Sequence, residues 1–252
     1  MKNGFILFGI ILFLWGISLP VVGQDWALKQ GNVWSRQAGA IKRSTDKPND
    51  RNNKETIRLE HTGNNDWALS EGNRMAVKTG DVFELAAEMK SEGTGTASIS
   101  VITRKKDGEV VEWTYGTKEI RGNTSWASLR TKFMVPPDIE TIEPRIVGYG
   151  SLTVWIDGFS ATKVESRNLA VKNVKPVKFD NKFLSVELEP STGVFSVTDK
   201  RTNRVWSPSS VDAKNFIVLP KQDFAAASAV FSLLNTETLI EYDVSVTLEP
   251  DT

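Results

Sequence analysis

The sequence contains no cysteine and a single histidine, His61, among its 252 residues. The absence of cysteine excludes disulfides, thiolate metal sites and a cysteine nucleophile. One histidine leaves almost nothing from which to build a serine–histidine triad or a multi-histidine metal centre. We therefore expect core packing alone to hold the fold together, and we expect His61 to be a surface residue at the end of a strand.

The chain also lacks a surplus of charge, because 31 Lys and Arg residues balance 31 Asp and Glu residues. Nucleic-acid binding requires a concentrated basic surface, so we predict no nucleic-acid partner. Sustained helical periodicity is missing as well, and nearly every ordered-looking segment after Asp25 alternates apolar and polar residues. The predicted fold class is all-β.

One long apolar run is present, at residues 5–19, and it follows Lys2. A basic residue, an apolar stretch and small residues up to Gly23 are typical of a secretory signal peptide. We predict a signal peptide at residues 1–23, cleavage after Gly23, and a secreted or periplasmic protein with no membrane span after cleavage. An uncleaved anchor is the alternative, because the run is close to the shortest helix that spans a membrane.

Alternation predicts eight strands in the first part of the chain, separated by turn sequences rich in Gly, Asn and Asp. They lie at residues 56–61, 66–69, 81–90, 97–104, 109–115, 126–135, 141–149 and 152–164. Strands at this spacing predict a jelly-roll β-sandwich. The basic run at 42–54 is predicted to be a solvated loop, with a ligand-contacting arm as the alternative.

A change of composition near residue 167 divides a first domain, 24–167, from a second segment, 168–252. The second segment is predicted to hold six strands, at 183–189, 193–199, 204–207, 216–219, 229–234 and 239–248. Its last strand alternates almost perfectly, and the sequence stops soon after it. We therefore expect the segment to be the start of a larger β-sandwich domain.

The order of several short motifs between residues 32 and 164 resembles the carbohydrate-binding modules of families 4, 9 and 22. The shared motifs are Gly80 before a strand, KSEG at 90–93, an Asp-Gly hairpin at 107–108, Trp126 opening a strand, Val-Pro at 135–136, and WID at 155–157. The resemblance implies a jelly roll, a polysaccharide or oligosaccharide partner, and a structural calcium held by Asp157 with backbone carbonyls. An exposed or ion-paired Asp157 is the alternative.

The sequence FLSVELEPSTGVFSVTDKRTNRVWSP, residues 183–208, resembles the opening strands of the β-sandwich that precedes the catalytic barrel in several glycoside hydrolases. The resemblance implies a glycoside hydrolase parent. No pair of carboxylates in the sequence stands out as the acid and nucleophile of a glycosidase, so we predict no catalytic residue in this chain. Whether the chain is part of an enzyme stays open.

Trp113 and Tyr115 lie two residues apart in the stretch GEVVEWTYG and would share one face of a regular strand. An even-length hairpin loop around residues 106–108 would turn that face outward, where aromatic rings can stack on sugar rings. An odd-length loop would turn both rings into the core.

Planar charged side chains beside such a face would hydrogen-bond the sugar hydroxyls. The candidates are Arg104, Glu112, Arg130 and Arg145. Asp66 and Trp67 follow a Gly-Asn-Asn loop that we expect to contact sugar, although Trp67 alternates with Leu69 and a core position is its alternative. The predicted ligand-binding residues are thus Trp113, Tyr115, Arg104, Glu112, Arg130, Asp66 and Trp67.

The sequence therefore predicts a monomeric, non-catalytic portion of a carbohydrate-active protein, which holds that protein on a glycan and raises its local concentration. A structural or adhesion module that binds protein or no ligand is the first alternative. A complete small glycosidase is the second.

Overall fold

The computed structural model of the chain describes residues 25–29, 31–169, 175–189, 193–207 and 215–249. The predicted signal peptide and residues 170–174 of the predicted connector lie outside this part. Within it, strands make up nearly all of the ordered structure, with one turn of 3-10 helix at Asn49–Arg51. The all-β prediction is confirmed. None of the helices in the described ranges is long and apolar enough to cross a membrane.

Six strands form an antiparallel sheet that we call the back sheet. They are β1 (Asp25–Ala27), β3 (Ile41–Asp46), β4 (Thr56–His61), β7 (Asp81–Gly93), β10 (Thr124–Met134) and β12 (Leu152–Ser166). Their order is β10-β7-β12-β4-β3, and β1 also pairs with β12. Long alternating strands therefore lie at the centre of this sheet and short ones at its edges.

Six other strands form the front sheet. They are β2 (Asn32–Ser35), β5 (Asp66–Ser70), β6 (Met75–Ala76), β8 (Thr96–Arg104), β9 (Val110–Arg121) and β11 (Thr141–Tyr149). Their order is β2-β5-β11-β8-β9, and β6 also pairs with β11. Strands far apart in the sequence are thus neighbours in the front sheet, as in the predicted jelly roll.

The two sheets enclose one apolar core, which contains fully buried side chains from both of them. Phe83 on β7 and Phe133 on β10 stack with ring centroids 6.0 Å apart. Ile99 and Ile146 contribute to the same core from the front sheet. The inner face of each sheet is buried in this core. The outer faces are therefore the ones available for contacts with other molecules.

The eight predicted strands of the first domain are all present, whereas β1, β2, β3 and β6 were not predicted. Because β3 lies in the basic run at 42–54, the prediction of a solvated loop is wrong for its first half. There Lys42 pairs across the ladder with Glu60 of β4. The second half folds onto the back sheet, where Trp126 Nε1 donates to Asp50 at 3.1 Å and the Arg51 guanidinium lies 4.5 Å from the Trp126 ring.

The second segment forms two smaller antiparallel sheets. One contains β13 (Val177–Asp180), β14 (Leu184–Glu189), β15 (Val194–Asp199) and β16 (Arg204–Trp206), and the other contains β17 (Phe216–Ala225), β18 (Ser228–Asn235) and β19 (Glu241–Thr247). Phe179 and Leu188 of the first pack against Ala229 and Phe231 of the second. The predicted second β-sandwich is confirmed.

The second sandwich contacts the first through the sheet that holds β18. Ile217 and Leu234 form a buried cluster with Val82 and Met134 of the back sheet. The backbone N–H of Met134 donates to the carbonyl oxygen of Thr236 at 2.7 Å. Apolar packing and backbone hydrogen bonding therefore both join the two sandwiches.

Candidate functional site

A groove of about 1030 Å³ crosses the outer face of the front sheet. Its floor is a row of side chains that lie in register across the five strands: Trp34, Ala68, Val147, Ser98 and Glu119. The three middle residues are small, and Trp34 stands at one end of the row. Small side chains between larger ones make the surface concave, and this concavity is the groove.

Three exposed aromatic side chains border the groove. Trp34 on β2 is 52% exposed, Trp113 on β9 is 57% exposed, and Tyr149 on β11 is 60% exposed. Trp34 and Trp113 belong to opposite edge strands, about 19 Å apart if neighbouring strands lie ~4.8 Å from one another. The groove therefore has room for several sugar rings in a row, with an aromatic residue at each end.

A β-bulge sets the direction of Trp113. Val101 and Thr103 lie two residues apart on β8, but their partners on β9, Tyr115 and Glu112, lie three apart. The extra residue reverses the alternation of side chains within β9. Trp113 therefore points into the groove while Tyr115 points into the core. The prediction that the two aromatic residues share a face is wrong. The hairpin has the odd-length loop given above as one alternative, with Gly108 at a φ of 90°, but only Tyr115 and not Trp113 turns into the core.

Tyr115 is only 2% exposed, so the prediction that it binds ligand is wrong. Its hydroxyl donates to Thr236 Oγ1 at 2.5 Å, and the Met134 carbonyl oxygen lies 3.3 Å away. Burial raises the pKa of the Tyr115 phenol above its ordinary value. Tyr115 thus joins the two sandwiches behind the strand that carries Trp113.

Two arginines lie beneath the Trp113 ring. The guanidinium carbon of Arg145 is 5.5 Å from the ring centroid and that of Arg104 is 6.0 Å from it. Arg145 Nη2 donates to the Trp113 carbonyl oxygen at 2.6 Å, and Arg104 lies 3.7 Å from the buried Glu143 carboxylate. Burial lowers the pKa of Arg145 from its ordinary value. This cluster supports the Trp113 ring and places cationic groups next to it.

An ion pair lies at the opposite end of the groove. Arg36 donates to both carboxylate oxygens of Asp66, at 2.5 and 3.0 Å. The hydrogen bond from Arg36 lowers the pKa of Asp66, and the same bond raises the pKa of Arg36. The predicted site residue Asp66 does line the groove, with its charge already neutralised.

Other predicted site residues lie elsewhere. Trp67 is 1% exposed and belongs to the core between the sheets, so its predicted role in ligand binding is wrong. Arg130 lies on β10 of the back sheet and pairs with Glu84 at 2.9 Å, which places it on the opposite side of the sandwich from the groove. Glu112 lies on β9 but does not line the groove. Periodicity could not reveal which sheet each strand would join.

Asp157 lies on the back sheet at the end of the basic loop. Its Oδ2 atom is 3.0 Å from Arg51 Nη2 and 2.9 Å from Lys54 Nζ. Two cations therefore already neutralise this carboxylate. The described residues also contain no group of three or more His, Asp or Glu side chains suited to a metal ion. Asp157 thus has the ion-paired position given above as the alternative to a calcium ligand, and the structural calcium stays a prediction.

His61 ends β4 as expected but is buried, so the prediction of a surface position is wrong. Its ring nitrogens lie 3.1 Å from Ser35 Oγ and 2.9 Å from the Gly150 carbonyl oxygen. These contacts join β4 of the back sheet to β2 of the front sheet and to the turn between β11 and β12. His61 is thus a structural residue.

Trp34 and Tyr149 were missed in the sequence. Tyr149 follows Glu143, Arg145 and Val147 at a spacing of two on the mostly polar side of its strand, and an aromatic residue there signals an exposed ring. Trp34 lies on a strand of four residues, which is too short for periodicity to assign a face. Its place in the groove follows from pairing with β5, more than thirty residues later.

No protein-family model and no curated protein sequence matches the chain. Solved structures do match its architecture. One contains the family 22 carbohydrate-binding module and catalytic module of xylanase 10B from Clostridium thermocellum, complexed with xylohexaose. It is 14% identical with a TM-score of 0.41, over 59% of this chain and 29% of that chain.

A second match is the family 11 carbohydrate-binding module of a cellulosomal cellulase from Clostridium thermocellum, at 12% identity and a TM-score of 0.39, over 56% of this chain and 91% of that chain. A third is a family 22 xylan-binding domain from Paenibacillus barcinonensis, at 13% identity and a TM-score of 0.39, over 57% and 94% of the two chains. These likenesses concern the fold alone. Carbohydrate-binding modules are thus what the first domain is similar to in these comparisons.

Proposed function

We propose that the front-sheet groove binds a polysaccharide or oligosaccharide chain. The observation that carries the proposal is the pair of exposed tryptophans, Trp34 and Trp113, at opposite ends of a groove with a floor of small side chains. An exposed indole covers the apolar C–H face of a sugar ring, while polar side chains hydrogen-bond the hydroxyl groups at its edge. A chain of sugars that lies across the strands would contact both rings at once.

The groove contains polar groups suited to sugar hydroxyls. The hydroxyl group of Ser98 and the ion-paired side chains of Arg36 and Asp66 line it together with Glu119. Neutral and charge-neutralised groups of this kind orient a ligand without a large desolvation cost. The groove therefore combines apolar stacking surfaces with hydrogen-bonding partners, as a glycan site requires.

The wider role that we propose is that of an exported, non-catalytic portion of a glycoside hydrolase-type protein, which the groove holds on its substrate. Support comes from the N-terminal apolar run and from the sequence at 183–208. Attachment to a polymer raises the effective concentration of any linked catalytic domain without contributing to the chemistry.

Native gel electrophoresis through gels that contain xylan, β-glucan, galactan or polygalacturonate tests the proposal. We expect at least one polymer to retard the protein, and we expect Trp34→Ala and Trp113→Ala each to weaken the binding about tenfold or more. Loss of a stacked indole removes on the order of 1.5 kcal/mol of apolar burial.

Trp126→Ala is the matched control, because Trp126 is a tryptophan on the back sheet that contacts Arg51 and Asp50. Its retardation should equal that of the wild type. Equal mobility of the wild type in all gels, with and without polymer, would contradict glycan binding and favour a structural or adhesion module.

A further inference from the structure

Arg145 has an unusual electrostatic position at the Trp113 end of the groove. It lines the groove, it is half-buried, and its Nη2 atom donates to a backbone carbonyl oxygen. Among the described residues no carboxylate lies within 4.0 Å of its guanidinium, whereas Arg36 at the other end is paired with Asp66. Arginine stays charged at neutral pH even when its pKa is lowered. Arg145 is therefore an uncompensated cation in the wall of the groove.

The neighbours of Arg145 do not neutralise this charge. Arg104 adds a second guanidinium beneath the same indole ring, and Glu143 is the one buried carboxylate beside them. Glu143 already accepts from Ser70 Oγ at 2.8 Å and lies 3.7 Å from Arg104. The Glu112 carboxylate also lies at this end, where it accepts from the backbone N–H of Trp113 at 3.2 Å, so the charges here balance in number while Arg145 has no ion-pair partner among the described residues.

Hydrogen-bond donors also outnumber acceptors here. The Nε atoms of Arg104 and Arg145 are buried without an acceptor, and the buried hydroxyl of Ser100, which is in register with Arg145, has no partner either. Buried polar groups without partners are costly, and of these three residues Arg145 lines the groove, where a ligand can reach its side chain. Oxygen atoms that carry negative charge would complete this cluster best.

We propose that the groove selects an acidic glycan, in which a sugar bearing a carboxylate or sulfate group lies on Trp113 and places that group against Arg145. The inference rests on the proposed function, since it specifies the ligand of the same groove. A guanidinium and a carboxylate match as two planar groups that form parallel hydrogen bonds, and a sulfate offers the same oxygen spacing. Stacking on Trp113 holds the sugar ring while Arg145 recognises its charge.

Calorimetric titrations with hexagalacturonate, the same hexamer after reduction of its carboxyl groups, and a sulfated neutral hexasaccharide test the inference. We expect the wild type to bind hexagalacturonate or the sulfated hexamer at least about tenfold more tightly than the reduced hexamer, because a hydrogen bond between charged groups contributes roughly 1.5–3 kcal/mol. This preference should shrink as salt is raised, owing to screening. Whichever acidic probe binds more tightly identifies the recognised group.

Arg145→Met keeps the apolar stem of the side chain and removes its charge, and Arg145→Lys keeps the charge without the planar fork. We expect Arg145→Met to abolish the preference for the acidic probe, so that its affinities for hexagalacturonate and for the reduced hexamer differ by no more than about twofold. Arg145→Lys should retain part of the preference. Arg130→Met, on the back sheet, is the control and should behave as the wild type.

Two results would overturn the inference and leave glycan binding intact. One is equal wild-type affinity for acidic and neutral probes, or retardation by neutral polymers alone. The other is an Arg145→Met variant that keeps the wild-type preference for the acidic probe, which would mean that Arg145 only supports the Trp113 ring. Failure of the folded wild type to bind any probe or polymer would contradict the proposed function itself.

Discussion

At the residue scale, Trp113 and Tyr115 show how two aromatic side chains of the same strand take different roles. Trp113 is exposed above two arginines, and Tyr115 is buried and bonded to the second sandwich. Substitutions of the two residues should therefore have opposite effects on binding and on stability. Removal of Trp113 should change binding and leave stability unaffected, whereas removal of the Tyr115 hydroxyl should do the reverse.

Tyr115→Phe is expected to destabilise the protein by about 1–2 kcal/mol, because removal of the donating hydroxyl leaves the buried Thr236 Oγ1 without this hydrogen bond. Glycan affinity should stay within about twofold of the wild type. Chemical denaturation and titration with the retained glycan measure the two quantities. A variant with unchanged stability and lost binding would contradict the assignment of Tyr115 to the core.

The raised pKa of Tyr115 predicts a pH dependence. The folded state holds the phenolic proton more tightly than the unfolded state, so this contribution to stability is complete below pH ~10 and is lost as the pH rises above it. The free energy of unfolding of the wild type should therefore fall more steeply above that pH than that of Tyr115→Phe. Parallel curves for the two proteins would contradict this prediction.

Asp157 provides a second prediction at the residue scale. Asp157→Asn should cost about 1–2 kcal/mol, because Arg51 and the more exposed Lys54 both lose their carboxylate partner. Calcium or a chelator should change the melting temperature of the variant and of the wild type equally. A calcium-dependent stabilisation that disappears in the variant would show that Asp157 does bind the metal.

At the element scale, the irregular conformation of β9 determines where Trp113 lies in the groove. Gly116, directly after Tyr115, has a φ of 63°, and its backbone N–H donates to Glu237 Oε1 at 3.2 Å. A Cβ atom at this position would lie 2.4 Å from a ring carbon of Phe133. Only glycine fits, so the irregular part of β9 depends on this residue.

Gly116→Ala should destabilise the protein by about 2–4 kcal/mol, from the left-handed backbone and the overlap with Phe133 together. It should also weaken glycan binding, because β9 must shift and carries Trp113 with it. Gly158→Ala is the matched control, since its φ is 64° and a Cβ atom there would contact nothing within 4 Å. Denaturation curves in which the two variants lose equal stability would contradict the role of Phe133.

The elements also show what could be predicted from the sequence. Thr56–His61 and Thr141–Tyr149 were predicted residue for residue, because strict alternation marks strands with one buried face. The orientation of Trp113 could not be predicted, since a bulge arises from pairing with β8 and leaves no period of its own. The exposure of Trp34 could not be predicted either, because pairing with β5 decides which side of this short strand lies outward.

At the scale of the whole molecule, the second sandwich stabilises the strand behind the groove. Thr236 and Glu237 accept hydrogen bonds from Tyr115 and Gly116 across the contact between the sandwiches. No sequence pattern predicted this contact, because it joins segments that lie about 120 residues apart. Strand β9 therefore carries one side of the groove, and hydrogen bonds from the second sandwich hold β9 in place.

A double-mutant cycle with Tyr115→Phe and Thr236→Val measures this contact. We expect a coupling energy of about 0.5–1.5 kcal/mol, because the two hydroxyl groups share one buried hydrogen bond at 2.5 Å. Tyr115→Phe paired with Ser232→Ala, a buried residue that bonds to Asp243 instead, should be additive. Additivity in both cycles would mean that the sandwiches are not joined in this way.

The central claim, that glycan lies in the groove between Trp34 and Trp113, is tested most directly by fluorine NMR of protein labelled with 5-fluorotryptophan. Hexagalacturonate and cellohexaose serve as ligands in turn, and Trp→Phe variants assign the resonances. We predict that the resonances of Trp34 and Trp113 shift together with rising ligand, while those of Trp126 and Trp155 on the back sheet stay fixed. Shifts confined to the back-sheet residues, with Trp34 and Trp113 unchanged, would contradict the account.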